Sequence, residues 1–187
     1  MTYAQIKQLA LKQLDGDPHD MDEYADLLGT YVNEGYQIAV NDHLYPRERF
    51  TIQTDKDGSA DISGLGIRYI PDAVTEQGYS AWARLTNMSD TIETAVKDGK
   101  VILTAVVTYP DMESETDIPR IPEFAHGALA DYACFRYLSN GNMGKQAKAN
   151  FYYGQFARQM SRIEPQAMRS VTNYRNLYTV TDARWTR

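Results

Sequence analysis

The sequence predicts an α+β fold that is mainly helical: two amino-terminal helices and a carboxy-terminal helix hairpin, with an inserted small antiparallel β module and an extended carboxy-terminal arm. Three observations predict it. Apolar residues recur at spacings of three and four near both ends of the chain, they alternate with polar residues between about 47 and 110, and beyond Pro165 neither period holds. The 187 residues are enough for one ordinary domain with its own core.

The first helix is predicted to begin at Thr2-x-x-Gln5, a capping box that satisfies amides at a helix start. A second helix follows the break at Asp15–Pro18 and ends at Tyr45, since a proline disfavours helical geometry in the residue before it. The apolar stripes of the two helices are Ile6, Leu9, Ala10 and Leu14, then Tyr24, Leu28, Tyr31, Gly35 and Ile38.

Between about residues 47 and 110 the apolar period changes to two, which indicates strands. Asp57-Gly58 and Asp98-Gly99 each separate two alternating runs, and this dipeptide favours a hairpin turn. The stretches 66–70 and 79–85 have the composition of further short strands. Together these patterns predict a small, mostly antiparallel β module within a single domain that covers residues 1–163.

A helix hairpin is predicted after the polar, acidic loop at 111–119. Pro122 suits the first turn of a helix, and that helix runs to about Ser139. A turn at 140–144 separates it from a second helix at about 145–163, so we expect an antiparallel pair. The stripe of the second helix is Ala149, Tyr153, Phe156, Met160 and Ile163.

The residues from 164 to 187 are predicted to be an extended arm that becomes ordered on contact with a partner, because they hold too few apolar residues for a core. The charge is uneven: residues 161–187 hold five arginines against two carboxylates, a net +3. This leaves 14 of the 19 basic and 23 of the 25 acidic residues before position 161, a net −9. Such asymmetry favours an arm that binds a partner.

The stretch 121–138 holds a Glu-x-x-His pair, the lone cysteine and an aspartate on one predicted helix. Glu123, His126 and Cys134 are predicted to share a helical face, with Asp131 on the far side from His126. A single Glu-x-x-His does not complete the carboxylate di-iron pattern, and zinc sites need more Cys and His at characteristic spacing. We therefore interpret the stretch as a packing element whose small face, Gly127, Ala130, Ala133 and Cys134, admits another helix of this chain or of a second copy.

The sequence lacks the usual signatures of other binding sites, so we expect no catalytic, cofactor-binding or metal-binding residues. Gly64-x-Gly66 lacks the third glycine of a dinucleotide loop, and the acidic residues of 111–117 lack the glycine and terminal glutamate of a calcium loop. Cys134 is the only cysteine, which excludes an internal disulfide and fits a reducing compartment. No apolar run approaches the ~20 residues of a membrane span, and no secretory signal is visible.

The order of elements resembles the head-to-tail adaptor (head-completion, or connector) proteins of tailed bacteriophages. The likeness covers residues 2–163 in layout and is carried by "IPEFAHGALADYACFRYL" at the entry of one helix and "AKANFYYGQFARQM" in the next. The β module is longer than in the smallest members of that family, so its role stays open.

This resemblance implies a structural virion protein, not an enzyme, that forms a homo-oligomeric ring, usually of twelve copies, in the virion neck between capsid and tail. Assembly would take place in the host bacterial cytoplasm. The ring would dock on the portal protein, present a surface to the tail or to a stopper protein, and let genomic DNA pass through its channel without specific binding. It would have no membrane partner. Aromatic residues and arginines are the usual anchors of protein interfaces, so the expected contacts with the portal or neighbouring subunits are Arg169, Tyr174, Arg175, Tyr178, Arg184 and Trp185.

Two alternatives remain open. The first is a tail-completion protein, or another virion joining protein, whose arm binds a tail component in place of the portal. The second is a small hydrolase that uses Glu123 and His126. Nucleic-acid binding is disfavoured by the acidic body.

Overall fold

The computed structural model describes residues 1–15, 21–86, 90–139 and 145–163, and it confirms the α+β class. The described residues form two compact units: a helical unit of Met1–Leu44 with the chain from Asp111 onward, and a β unit of Tyr45–Pro110. Helix α1 spans Tyr3–Gln13 and helix α2 spans Met21–Ile38. A π-helical segment, Ala39–Leu44, continues α2.

The predicted helix hairpin is also present in the helical unit. A 3₁₀ turn, Glu123–Ala125, leads into α3, His126–Ser139, and α4 covers 146–163. Pro122 precedes this turn as its cap. Two ring pairs join the hairpin, Tyr132 with Phe156 and Phe135 with Tyr153, each with ring centroids 4.9 Å apart. Tyr132, the earlier of the two α3 residues, contacts the later α4 residue, and Phe135 contacts the earlier one. The two helices are therefore antiparallel.

Helix α3 is the central helix of this unit, since it packs against α1 and α2 as well as α4. Tyr132 on its bulky side also faces α2, where a Cβ at Gly35 would lie 2.9 Å from the tyrosine ring. The predicted stripe of α4 needs one correction: Tyr152 is buried, whereas Tyr153 is 49% exposed. The Tyr152 hydroxyl donates to the carbonyl of Gln13 at 2.8 Å, which turns that ring toward α1.

The described residues of the β unit, 45–86 and 90–110, form seven strands in two antiparallel sheets. The first sheet has the order β1-β7-β3-β4 and the second β2-β6-β5. The strands are β1 Arg47–Gln53, β2 Ser59–Asp61, β3 Ile67–Thr75, β4 Ser80–Ala81, β5 Ala83–Leu85, β6 Thr91–Thr94 and β7 Lys100–Val107. Its core is formed by one face of β7 with residues of both sheets: Ala60, Ile62, Ile67, Ala73, Ile92, Val101, Leu103, Ala105 and Val107.

The two Asp-Gly turns do not make the hairpins that their sequence predicts. Each joins strands of different sheets: β1 to β2 at Asp57-Gly58, and β6 to β7 at Asp98-Gly99. The reason is that β1 pairs with β7 along all seven of its residues, which leaves β2 to pair with β6. The turns also bond to each other, since the Asp98 amide donates to the Asp55 carbonyl at 2.7 Å.

Candidate functional site

His126 has both ring nitrogens occupied by neighbours within the helical unit. Its Nε2 lies 3.0 Å from the carbonyl oxygen of Ile121, and its Nδ1 lies 2.8 Å from the amino group of Met1. A carbonyl only accepts, so Nε2 carries the proton and Nδ1 accepts from the ammonium. His126 is 4% exposed, whereas Glu123 is exposed. Neither ring nitrogen is left for a metal or a substrate proton, which counts against the hydrolase hypothesis.

Cys134 and Asp131 meet at one glutamine of α1, an arrangement that differs from the predicted separation of faces. The Gln13 amide donates to the Asp131 carboxylate at 3.0 Å, and the Cys134 thiol donates to the Gln13 side-chain oxygen at 3.2 Å. Burial raises the pKa of Asp131 to about 6, although the hydrogen bond from Gln13 opposes the rise. Burial, with a further effect of the Asp131 charge, raises the pKa of Cys134 to about 12. The thiol is therefore a packing group and not a nucleophile.

The small face of α3 packs on α1 of the same chain. Cys134 Sγ lies 3.4 Å from the carbonyl of Ala10, a contact that requires the two backbones to approach closely. Ala130 and Ala133 are fully buried, and a Cβ at Gly127 would meet the Leu9 side chain at 4.0 Å. Of the two occupants that the sequence left open, a helix of this chain or of a second copy, the structure therefore shows the former.

The π-helical segment lies beside a cavity of about 360 Å³ that the sequence did not indicate. Asp42, His43 and Ser161 line it together with aromatic side chains. Such segments recur at functional sites, and these residue types are those of a hydrolytic triad. However, the Ser161 hydroxyl donates to the carbonyl of Arg158 in its own helix at 2.9 Å, so its proton is directed away from His43. The contacts do not form a nucleophile–base pair.

The described residues of the helical unit also form a groove of about 920 Å³, which we call the acidic groove. Its walls come from α1, α2, α3 and the loop that begins at Asp111. Two tyrosines, Tyr3 and Tyr132, supply aromatic surface. Its charged lining is five carboxylates, Asp26, Glu34, Asp111, Glu113 and Glu115, and two cations, Lys7 and Arg136.

Hydrogen bonds from α1 and α2 to the backbone of the acidic loop hold this loop in place. The Asn33 side chain both donates to the carbonyl of Met112 at 3.0 Å and accepts from its amide at 3.1 Å. The first amides of α1, Tyr3 and Ala4, donate to the carbonyls of Asp117 and Glu115 at 2.8 and 3.1 Å. These bonds use helix-start amides that lack a partner within the helix. The sequence predicts only a solvated loop here, and the residues that fix it lie far away along the chain.

Two ion pairs neutralise part of the groove. Lys7, whose side chain is 7% exposed, pairs with Glu115, and Arg136 donates to Glu34 from Nε at 2.7 Å. The remaining carboxylates, Asp26, Asp111 and Glu113, are exposed. The pKa of Tyr3 is raised, first by burial and then by the charges of Glu115, Asp111 and Asp26. With five carboxylates and two cations in its lining, the groove carries an excess of negative charge.

The six residues predicted to anchor a partner lie outside the described residues: Arg169, Tyr174, Arg175, Tyr178, Arg184 and Trp185. Within the described part of the chain, no three Cys, His, Asp or Glu side chains gather as metal ligands. Among the described helices, none combines the length and apolar character that crossing a membrane requires. In comparisons with known proteins, no family model and no curated protein matched this chain.

Proposed function

We propose that this chain is a structural virion protein, a head-to-tail adaptor of a tailed bacteriophage, whose copies form a ring on the portal and join the DNA-filled capsid to the tail. The observation that carries the proposal is the order of elements. Two helices, a β insertion and the Ile121-Pro122 entry to an antiparallel helix hairpin follow one another, and the basic, aromatic arm comes last. This is the layout on which the resemblance to the adaptor family depends.

The packing of α3 supports a structural role. Its charged and polar groups are engaged inside the unit: His126 with Ile121, Cys134 and Asp131 with Gln13, and Arg136 with Glu34. Because these side chains bond to neighbouring parts of the helical unit, they stabilise its fold and make it rigid. A rigid body is what a ring subunit needs, because small changes of subunit angle prevent a ring from closing.

The exposed aromatic residues of the β unit support contacts with other proteins. Tyr69, Tyr79 and Trp82 are 61%, 72% and 56% exposed. Tyrosine and tryptophan are enriched in protein interfaces, where they bury a large ring and keep a polar group for a hydrogen bond. These residues suit contacts with a neighbouring subunit or with a tail or stopper protein, and they give the long β insertion a role in the proposal.

The charge of the chain suits a channel through which DNA slides. The net charge is −6, with the excess of acid before position 161. A basic lining would hold the phosphates by counterion release, whereas an acidic lining would not. In the proposed ring, genomic DNA therefore passes without specific binding.

The proposal is tested by docking on purified portal rings of the phage that encodes the chain. The full chain is expected to sediment with the portal, and an arm variant with Arg169, Arg175 and Arg184 changed to Ser is expected to lose this association. The matched control removes three exposed cations from the body, Lys56, Lys97 and Arg158, each also to Ser. It is expected to dock normally. Binding to a tail protein in place of the portal would support a tail-completion protein, and binding to neither would overturn both proposals.

A further inference from the structure

The place where the arm leaves the helical unit is close to the acidic groove. The Arg162 guanidinium lies 4.8 Å from the centre of the Phe124 ring, so the end of α4 lies beside the start of α3. The Met1 amino group, bonded to His126, places the start of α1 at this same end. Tyr3, two residues later, lines the acidic groove. The end of α4, to which the arm is joined, and Tyr3 of the groove therefore lie at one end of the helical unit.

The arm has the length to occupy the groove of its own chain. It contains 24 residues after Ile163, and an extended chain of that length spans at most roughly 80 Å. The volume of the groove, about 920 Å³, lies within the range of roughly 300–1,000 Å³ that is typical of binding clefts. It has room for part of the arm and not for all of it.

The charges of the arm and the groove are complementary. The arm has four arginines and two carboxylates, an excess of two positive charges. The groove lining has five carboxylates and two cations, an excess of three negative charges. Arginine also stacks on aromatic faces, and the Arg136 guanidinium already lies 5.4 Å from the centre of the Tyr31 ring nearby.

We propose that the acidic groove binds the arginine- and tyrosine-containing part of this chain's own carboxy-terminal arm, residues 169–178. Arg169 and Arg175 pair with Asp26, Asp111 and Glu113, and Tyr174 and Tyr178 lie against the tyrosines of the groove. The backbone bonds that hold the acidic loop mean that the carboxylates are positioned before the arm arrives, which lowers the ordering cost of binding. The contact does not require a portal and goes beyond the proposed function.

The test places a single tryptophan in this part of the arm. The parent protein for it is the full chain with Trp82→Phe, Trp185→Phe and Tyr178→Trp. We expect its tryptophan to be protected from acrylamide quenching relative to a free peptide of residues 164–187 with the same Tyr178→Trp change. Added salt should remove the protection, because exposed charges are screened. The protection should not change with protein concentration, because the contact is within one chain.

The groove variant adds Asp26→Asn, Asp111→Asn and Glu113→Gln to that parent. Asn keeps the oxygen that accepts from Gln37 at position 111. We expect this variant to lose the protection. Its control adds Asp57→Asn, Asp90→Asn and Asp98→Asn, three exposed positions of the β unit, and is expected to keep the protection. Circular dichroism establishes that both variants are folded.

Three results would overturn the proposal: a tryptophan as accessible as in the free peptide, protection that the groove variant retains, or protection that rises with concentration. The last would assign the groove to the arm of a second copy. The salt titration of the parent, whose groove is unaltered, decides the matter if the groove variant does not fold. Because no portal is present, failure here leaves the docking experiment unaffected, and loss of docking would not alter the quenching result.

Discussion

Gly35 of α2 lies directly against Tyr132 of α3. A Cβ at position 35 would be 2.9 Å from Cδ1 of the tyrosine ring and 3.0 Å from its Cβ and Cγ. The glycine therefore sets the distance between these two helices, and the ring that it admits goes on to contact Phe135 and Phe156. This contact and the Arg136–Glu34 ion pair both connect α2 to the helix hairpin.

We predict that Gly35→Ala lowers the free energy of unfolding by about 1–3 kcal/mol, the usual cost of overpacking a core. Chemical denaturation followed by circular dichroism measures it. Gly154→Ala is the matched control, since it is also helical but a Cβ there would meet nothing within 4 Å. It is expected to stabilise by about 0.5–1 kcal/mol. A Gly35→Ala protein as stable as the parent would show that α2 and α3 separate easily.

Asp131 predicts a specific pH dependence. Its pKa is about 6 in the folded protein against an ordinary value of 3.8, so the folded state binds more protons between these values. Stability is therefore expected to fall as pH rises from about 4 to about 6, and to level off above that.

Asp131→Asn removes this charge and keeps an oxygen for Gln13. We expect the variant to be more stable at pH 7 by roughly 1 kcal/mol. This is less than the full pKa shift corresponds to, because water still reaches the Asp131 carboxyl and screens its charge. The difference should vanish near pH 4, where Asp131 is protonated in the folded protein. Urea denaturation at the two pH values measures it, with Asp57→Asn at an exposed turn as the control. A variant that is less stable at pH 7 would contradict the assigned cause.

The Cys134 thiol is predicted to be unreactive in the folded protein. It is buried, its pKa is about 12, and it donates to Ala10 and Gln13. A disulfide reagent at pH 8 should therefore modify it only as fast as the helical unit opens, and immediately in denaturant. Fast modification of the native protein would mean that the α1–α3 contact opens readily.

The His126→Ala variant distinguishes a structural role of this histidine from a catalytic one. Removing the ring leaves the Ile121 carbonyl without its donor, so we expect a loss of about 1–3 kcal/mol in the free energy of unfolding. The hydrolase hypothesis predicts the opposite pattern: a lost turnover and an unchanged denaturation midpoint. Denaturation curves and activity screening of the same variant distinguish the two.

The local elements could be predicted because each depends on neighbours in sequence. The capping box at Thr2 and Gln5 forms as expected, with the Thr2 hydroxyl accepting from the Gln5 amide. The pairing partners could not be predicted in the same way. Asp57-Gly58 makes a turn, and Gly58 has a φ of +87°, yet the strands on either side belong to different sheets. A turn fixes the direction of the chain and not the partner of the next strand.

The acidic groove was beyond prediction for a related reason. Its carboxylates are visible in the sequence, but Asn33 and Met112, which hold the loop, are 79 residues apart. Lys7 is a charged residue on the buried side of α1, and its partner Glu115 lies 108 residues away, beyond the β insertion. Only the folded chain brings these charges together.

The first and last strands of the β unit are neighbours: Arg47 lies opposite Val106, and the carbonyl of Pro46 accepts from the amide of Val107 at 3.0 Å. The entrance and exit of the insertion are thus about one strand spacing apart, roughly 5 Å. Because its two ends are this close together, the insertion can be lengthened, shortened or replaced by another segment without moving the chain on either side of it.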